Sequence, residues 1–249
     1  MRKAILRLSF KFLLLGILTG SLWFFYNEDG FSQTAPLRIV VAQQPDSPLL
    51  VVSTYVDASD PLRPEYGYTV TNTSDKPIRA YTIRESASSG GGGPVVGTSL
   101  THFPGVRLFL KPHESRQDEG GAGRVYESPP DKVELEVDFV EFADGTRWGD
   151  DKGKFADWLD GMRAGGKAAI KRYQEVLARN GINGIEQELA IQTLIEPQSP
   201  KSAEWGYGFS TGVNTVRRRL KEANTKGGQN EVERELEKPF DSTEGRQEP

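Results

Sequence analysis

Residues Phe12 to Tyr26, FLLLGILTGSLWFFY, form an uncharged apolar run directly behind the basic residues Arg2, Lys3, Arg7 and Lys11, and no later stretch of the chain is like it. An apolar core of about 7–15 residues behind a positive lead is an export signal, and one of about 20 is a membrane span. This run falls between the two. No small-residue cleavage site follows closely, because Trp23, Phe24, Phe25 and Tyr26 are bulky and Glu28 and Asp29 come next. Trp23 and Tyr26 also suit the headgroup level of a bilayer, where amphipathic rings collect. The run is expected to stay as an anchor with its amino terminus inside, the alternative being cleavage near Ser32 to Ala35. In both cases positive residues hold the inner side, so the bulk of the chain is extracytoplasmic: at the cell membrane, in the periplasm or secreted.

Composition narrows the chemistry. The chain has 249 residues, 36% of them hydrophobic and 27% charged, enough for one large core or two small ones. It contains no cysteine, which removes disulfides, thiol nucleophiles and a lipid-bearing cysteine, and leaves a packed core as the source of stability. With Lys+Arg 31 against Asp+Glu 35, no basic excess exists to neutralise a phosphate backbone, and nucleic acid is not an expected partner. His102 and His113 lie apart in strand-like context and do not make a zinc or haem site. No G-x-S-x-G, H-E-x-x-H or P-loop pattern occurs, and Gly90 to Gly93 reads as a flexible loop. The carboxylates Glu141, Asp144, Asp150 and Asp151 are candidates for a glycosidase-like pair or a calcium site. A turn accounts for Asp144 and a helix cap for Asp150 or Asp151, so no catalytic, cofactor-binding or metal residue is assigned.

From Leu37 to Gly149 the pattern has period two, with turn residues at regular intervals, as in an all-β sandwich or barrel. Val106, Leu108 and Leu110 alternate with Arg107, Phe109 and Lys111. Val133, Leu135, Val137 and Phe139 alternate with Lys132, Glu134, Glu136 and Asp138, which predicts one buried and one wet face. Further strands are expected at 37–42, 49–56, 66–72, 77–84 and 95–100. Asp144-Gly145 predicts a two-residue type I′ hairpin that sets Trp148 opposite Glu141.

Tyr68-Thr-Val-Thr-Asn-Thr-Ser-Asp-Lys-Pro-Ile-Arg-Ala-Tyr81 resembles the strand, polar turn, strand unit of bacterial extracytoplasmic immunoglobulin-like domains, in which an Asn closes one strand and a Lys-Pro pair opens the next. Leu110-Lys-Pro-His-Glu-Ser115 resembles a Leu-x-Pro-Gly-x-Ser turn of such domains, with His113 where glycine is usual. Val137-Asp-Phe-Val-Glu-Phe-Ala-Asp-Gly-Thr-Arg-Trp-Gly149 is similar to a phrase in uncharacterised exported bacterial proteins. The resemblance covers under half of the chain, implies an immunoglobulin-like sandwich, and brings no catalytic residues with it.

If successive strands run the full height of a sandwich, connections alternate between its ends. The short loops 43–48, 73–76, 102–105 and 144–145 then share one end. The long segments 57–65, 86–93 and 113–131 share the other, which is the candidate contact surface because loops on rigid scaffolds carry function.

After Gly149 the period becomes helical. Phe155, Trp158, Leu159, Met162, Ala169, Ile170, Tyr173, Val176 and Leu177 make one apolar stripe, with Asp150 or Asp151 as cap and Asn180-Gly181 as stop. Gly165 and Gly166 lie on that stripe and mark close packing or a break. Helical pieces are also expected at 185–195 and from Trp205 to Leu220, while Asn224 onward is polar and reads as disordered. The expected plan is α+β: signal or anchor 1–26, linker 27–36, immunoglobulin-like antiparallel β-sandwich 37–149, amphipathic helices 150–223 and a disordered tail 224–249. Its expected role is a non-enzymatic binding or scaffolding module of the envelope, tied to the membrane by the N-terminal helix and meeting an envelope protein or glycan. The rival is a secreted carboxylate-dependent hydrolase acting on polysaccharide.

Overall fold

The computed structural model describes residues 36–42, 44–89, 94–102, 110–121, 124–191, 195–197 and 201–240. The expected signal or anchor, nearly all of the linker, Gly90 to Gly93, the stretch from Val106 to Phe109 and the tail from Asp241 lie outside them. The fold is α+β. Strands β1 (Arg38–Val41), β2 (Leu49–Asp57), β3 (Glu65–Asn72), β4 (Ile78–Ser88), β5 (Val95–His102), β6 (Ser115–Gly120), β7 (Lys132–Phe142) and β8 (Arg147–Trp148) precede helices α1 (Phe155–Ile191) and α2 (Ala203–Glu237). One sheet has the order β1-β7-β4-β5 with β8 also on β7, and the other the order β2-β3-β6. β1 runs parallel to β7, and the remaining pairs are antiparallel.

Between the sheets lie Tyr66, Tyr68, Val70, Tyr81, Ile83, Leu135 and Val140, all buried. Buried hydroxyls need partners, and each tyrosine finds one on another strand: Tyr66 donates to Glu85 at 2.9 Å, Tyr81 donates to Asp118 at 2.5 Å, and Tyr68 meets the Ser99 hydroxyl at 3.0 Å. β6 was expected to be loop. Its sequence, SRQDEG, has no apolar residue, and backbone pairing with β3 alone makes it a strand. His113 supplies the backbone conformation that glycine usually does at that turn, with φ of 62°.

Two local features depart from the expected pattern. Thr82 pairs with Phe139 and Ile83 with Val137, which leaves Asp138 as a β-bulge. The bulge turns Phe139 away from the face that Val137 occupies, and Phe139 joins the core of the helices. The hairpin is not type I′. Phe142 N–H bonds Thr146 O at 2.9 Å, Gly145 N–H bonds Phe142 O at 3.0 Å, and only Gly145 has positive φ, so three residues turn the chain and Trp148 faces Val140 instead of Glu141. Trp148 is half-buried.

Both helices double back. α1 breaks at Gly181 (φ 62°, ψ −162°) and α2 at Gly227 and Gly228, the latter with φ 59° and ψ −140°. Arg172 bonds Glu188 and Arg219 bonds Glu235. In a straight helix those partners would stand about 24 Å apart, so each break is a reversal. Gly161, Gly165, Arg172, Gly181 and Glu188 recur 47 residues on as Gly208, Gly212, Arg219, Gly228 and Glu235. The two hairpins are therefore copies of one plan. A Cβ on Gly161 would lie 2.0 Å from Trp205 O, and on Gly208 2.0 Å from Trp158 O; Gly165 and Gly212 stand in the same reciprocal relation to Phe209 O and Met162 O. Contacts that advance together along both helices mean their first arms run parallel, related by a pseudo-two-fold axis.

The expected disorder from Asn224 does not hold as far as Glu237. Those residues complete α2, and Val232 and Leu236 are buried, because the second hairpin packs as the first does. Ala80 and Phe139 share a core with Leu159, Met162 and Trp205, which joins sheet to helices within one compact unit among the described residues from Arg38 to Phe240.

Candidate functional site

The Asp138 bulge builds the ground on which α1 starts. Its carboxylate accepts the N–H groups of Lys152 and Gly153, both at 3.0 Å, and its carbonyl accepts Asp151 N–H at 3.1 Å. Asp151 is then the cap, accepting Phe155 N–H at 2.7 Å and Ala156 N–H at 3.0 Å. Burial pushes its carboxyl up, against the opposing pull of those two N–H groups. Ser202 caps α2 by accepting Trp205 N–H at 3.1 Å and donates to Asp157 at 2.8 Å, fastening the two helix starts together.

Between these starts lies a pocket of about 520 Å³ lined by Gly153, Phe155, Trp158, Ala203, Glu204 and Tyr207. Three of the six are aromatic, and the carboxylate of Glu204 stands 3.9 Å from Lys154 Nζ. Tyr207 is 72% exposed, a large ring with no share in the core. Phe155 and Trp158, expected on the buried stripe, are half-buried and form the pocket wall. An apolar, aromatic concavity of this size falls in the range typical of ligand sites. The sequence reading missed it, since it arises where two helix starts meet; the unpaired signal was Tyr207, an aromatic off the apolar seam of α2.

Residues 57–65, 86–89 and 124–131 meet at one end of the sheets as expected and are strapped together, whereas His113 and Glu114, expected there too, lie at the opposite end, where His113 N–H bonds Asn72 O at 2.9 Å and β6 carries the chain across. Tyr126 N–H bonds Leu62 O at 2.9 Å, Ser128 donates to Ser89 at 3.0 Å, and Asp131 N–H bonds Ser88 O at 2.9 Å. Arg124 reaches from the last loop to Glu85, 2.8 Å away and 2% exposed. A smaller pocket of about 330 Å³ remains there, lined by Ala87, Ser88, Val95, Val125, Tyr126, Glu127 and others.

The four candidate carboxylates do not meet in a cleft. Asp144 accepts Lys76 Nζ at 2.7 Å and the Thr146 N–H at 2.9 Å, and these bonds, that of Lys76 first, hold its carboxyl below the usual carboxylate range. Asp151 caps α1, and Asp150 is exposed with Lys152 Nζ 3.9 Å away. Glu141, 1% exposed, takes Arg163 on both oxygens and Arg147 at 3.1 Å, with Arg147 also on Asp160 at 2.6 Å. That network ties β7 and β8 to α1. Among the described residues no group of three or more His, Asp or Glu is placed to hold a metal ion, and no helix is long and apolar enough to cross a membrane.

No protein-family model and no curated protein matches the chain. Among solved structures, a crystal structure of a hypothetical protein from Peptoclostridium difficile 630 is similar to it, with 13% identity, a TM-score of 0.30, and coverage of 47% of this chain and 92% of that one. At that score the likeness carries no argument.

Proposed function

We propose that this chain is a non-enzymatic binding module of the bacterial envelope, exported or tethered through Phe12 to Tyr26, which holds an envelope protein or glycan at the aromatic pocket between the two helix starts. The observation that carries the reading is the pocket: an open apolar concavity with an exposed tyrosine, set on helices pinned to a rigid sheet. The engagement of Glu141, Asp144 and Asp151 in structural bonds favours binding over hydrolysis. The sandwich is taken to be immunoglobulin-like. In support, β2, β3 and β6 stand where strands A, B and E would, and β4, β7 and β8 where C, F and G would.

The test is retention of envelope components by the full chain, wild type against Tyr207→Asp. An envelope protein or glycan held by the wild type and lost from the variant, at unchanged melting temperature, supports the reading. Equal retention by both removes the pocket from it, and a glycan released as shortened products points to the hydrolase.

A further inference from the structure

We propose that β2 pairs, antiparallel and about a two-fold axis at Val52, with β2 of a second copy of this chain, so that two three-stranded sheets join into one. The inference is independent of the pocket. Sheet edges invite strand addition, and proteins usually guard them with charge or brevity. Of the other edges, β6 carries Arg116, Asp118 and Glu119, β1 has 4 residues headed by Arg38, and β5, itself uncharged, has the Arg124 guanidinium laid over Gly97, where a Cβ would lie 1.8 Å from it. β2 has 9, LLVVSTYVD, with no charge before Asp57, and exposes Leu50 (53%), Val52 (49%), Tyr55 (38%) and Val56 (42%).

The backbone fixes the register. Thr73 N–H bonds Pro48 O at 2.9 Å, so by antiparallel alternation Leu50 and Val52 bond β3 while Leu49, Val51 and Ser53 direct their N–H and C=O groups to the open edge. Leu49 is already served, since the Ser47 hydroxyl accepts its N–H at 3.1 Å and donates to its carbonyl at 2.8 Å. Beyond Ser53 a bulge twists the strand. Val51 and Ser53 are left. An axis at Val52 sets Val51 opposite the partner's Ser53 and Ser53 opposite the partner's Val51, which satisfies both residues and leaves the Ser47 bonds intact. On the outer face Val52 then meets the partner's Val52, and Leu50 the methyl of the partner's Thr54. A two-fold partner normally brings like charges face to face; this patch has none, which makes it complementary to itself.

The chain has no cysteine, so single substitutions report the register. Val52→Cys would place two thiols at a non-hydrogen-bonded pair with Cα atoms about 4.5 Å apart, within disulfide reach. Leu50→Cys is equally exposed, yet its two copies would stand about 14 Å apart along the strands. For the full chain in non-ionic detergent, Val52→Cys is expected to form a linked dimer at least about tenfold faster than Leu50→Cys. Sedimentation should give a dimer mass for the wild type, and Val52→Lys, which sets two ammonium groups opposite each other, should shift it to monomer. Equal linking of the two cysteine variants, a wild-type monomer at all concentrations, or a Val52→Lys dimer would each overturn the proposal. A monomer whose β2 instead captures an extended peptide would do so as well.

Discussion

Gly165→Ala and Gly206→Ala are the same chemical change on the two helices, and the structure gives them opposite signs. In a helix, alanine is favoured over glycine by about 1 kcal/mol because less backbone entropy is lost. At Gly206 a Cβ meets nothing within 4 Å, so the full gain should appear. At Gly165 the new Cβ lies 2.0 Å from Phe209 O and 2.7 Å from Phe209 C, where ordinary contact needs 3.4 Å or more. Backbone cannot swing aside as a side chain can, so the first arms of α1 and α2 must separate along their crossing. Overpacking costs about 1–3 kcal/mol where side chains can adjust, and more where they cannot. After the propensity gain is subtracted, Gly165→Ala should destabilise by about 2 kcal/mol or more and Gly206→Ala should stabilise by up to about 1 kcal/mol. Urea unfolding followed by helical circular dichroism measures both. Pseudo-symmetry adds a further demand: Gly212→Ala should cost about what Gly165→Ala does, and the double variant less than the sum, since helices already parted have less to lose. A Gly165→Ala protein as stable as wild type, or two shifts of the same sign, refutes the close crossing.

Glu141→Gln leaves Arg163 and Arg147 facing a buried neutral group and should cost about 3–5 kcal/mol, whereas Asp160→Asn, at the exposed rim, should cost under about 1 kcal/mol; paired denaturation curves decide. Burial pushes Tyr68 up to about 12 and raises Tyr66 and Tyr81 too, assisted by Glu85 and Asp118 respectively. A raised folded value stabilises fully below the ordinary value near 10 and is lost as pH rises through the folded one, so melting temperature should fall between about pH 10 and 12 with tyrosinate absorbance rising in step. Tyrosinate absorbance that is complete near pH 10 with no loss of fold would show the three rings to be open to water. His113→Gly should be neutral or stabilising by up to about 1 kcal/mol, because it relieves a left-handed backbone at some entropic cost; a clear loss of stability would show that the imidazole holds the turn.

Local rules carried much of this fold into the sequence. Period two marked most strands, including those on either side of Asn72 and Lys76, because a half-buried sheet leaves that alternation whatever lies opposite. Asp151 and Gly181 marked a helix start and stop for equally local reasons. The order of loops placed 57–65 and 86–89 at one end with 124–131, since alternation of strand direction needs no knowledge of partners, but it put His113 there as well, and His113 lies at the other end beside Asn72 because the crossing strand is β6. What escaped depended on juxtaposition. β6 has no apolar side chain and is a strand only because β3 lies beside it. One extra residue at Asp138 moved Phe139 to the other face, and no pattern within β7 alone reveals the slip. The glycines of the 47-residue repeat were visible as letters, but their meaning lies in a carbonyl on the other helix 2.0 Å from where a Cβ would be. The polar chain after Asn224 looked too poor in apolar residues to order itself, and alone it is; Val232 and Leu236 are buried because the first arms supply the surface that covers them. The aromatic pocket belongs to neither helix. It exists where two capped starts are held side by side, a relation that packing energy sets between segments far apart in sequence and that no window along the chain contains.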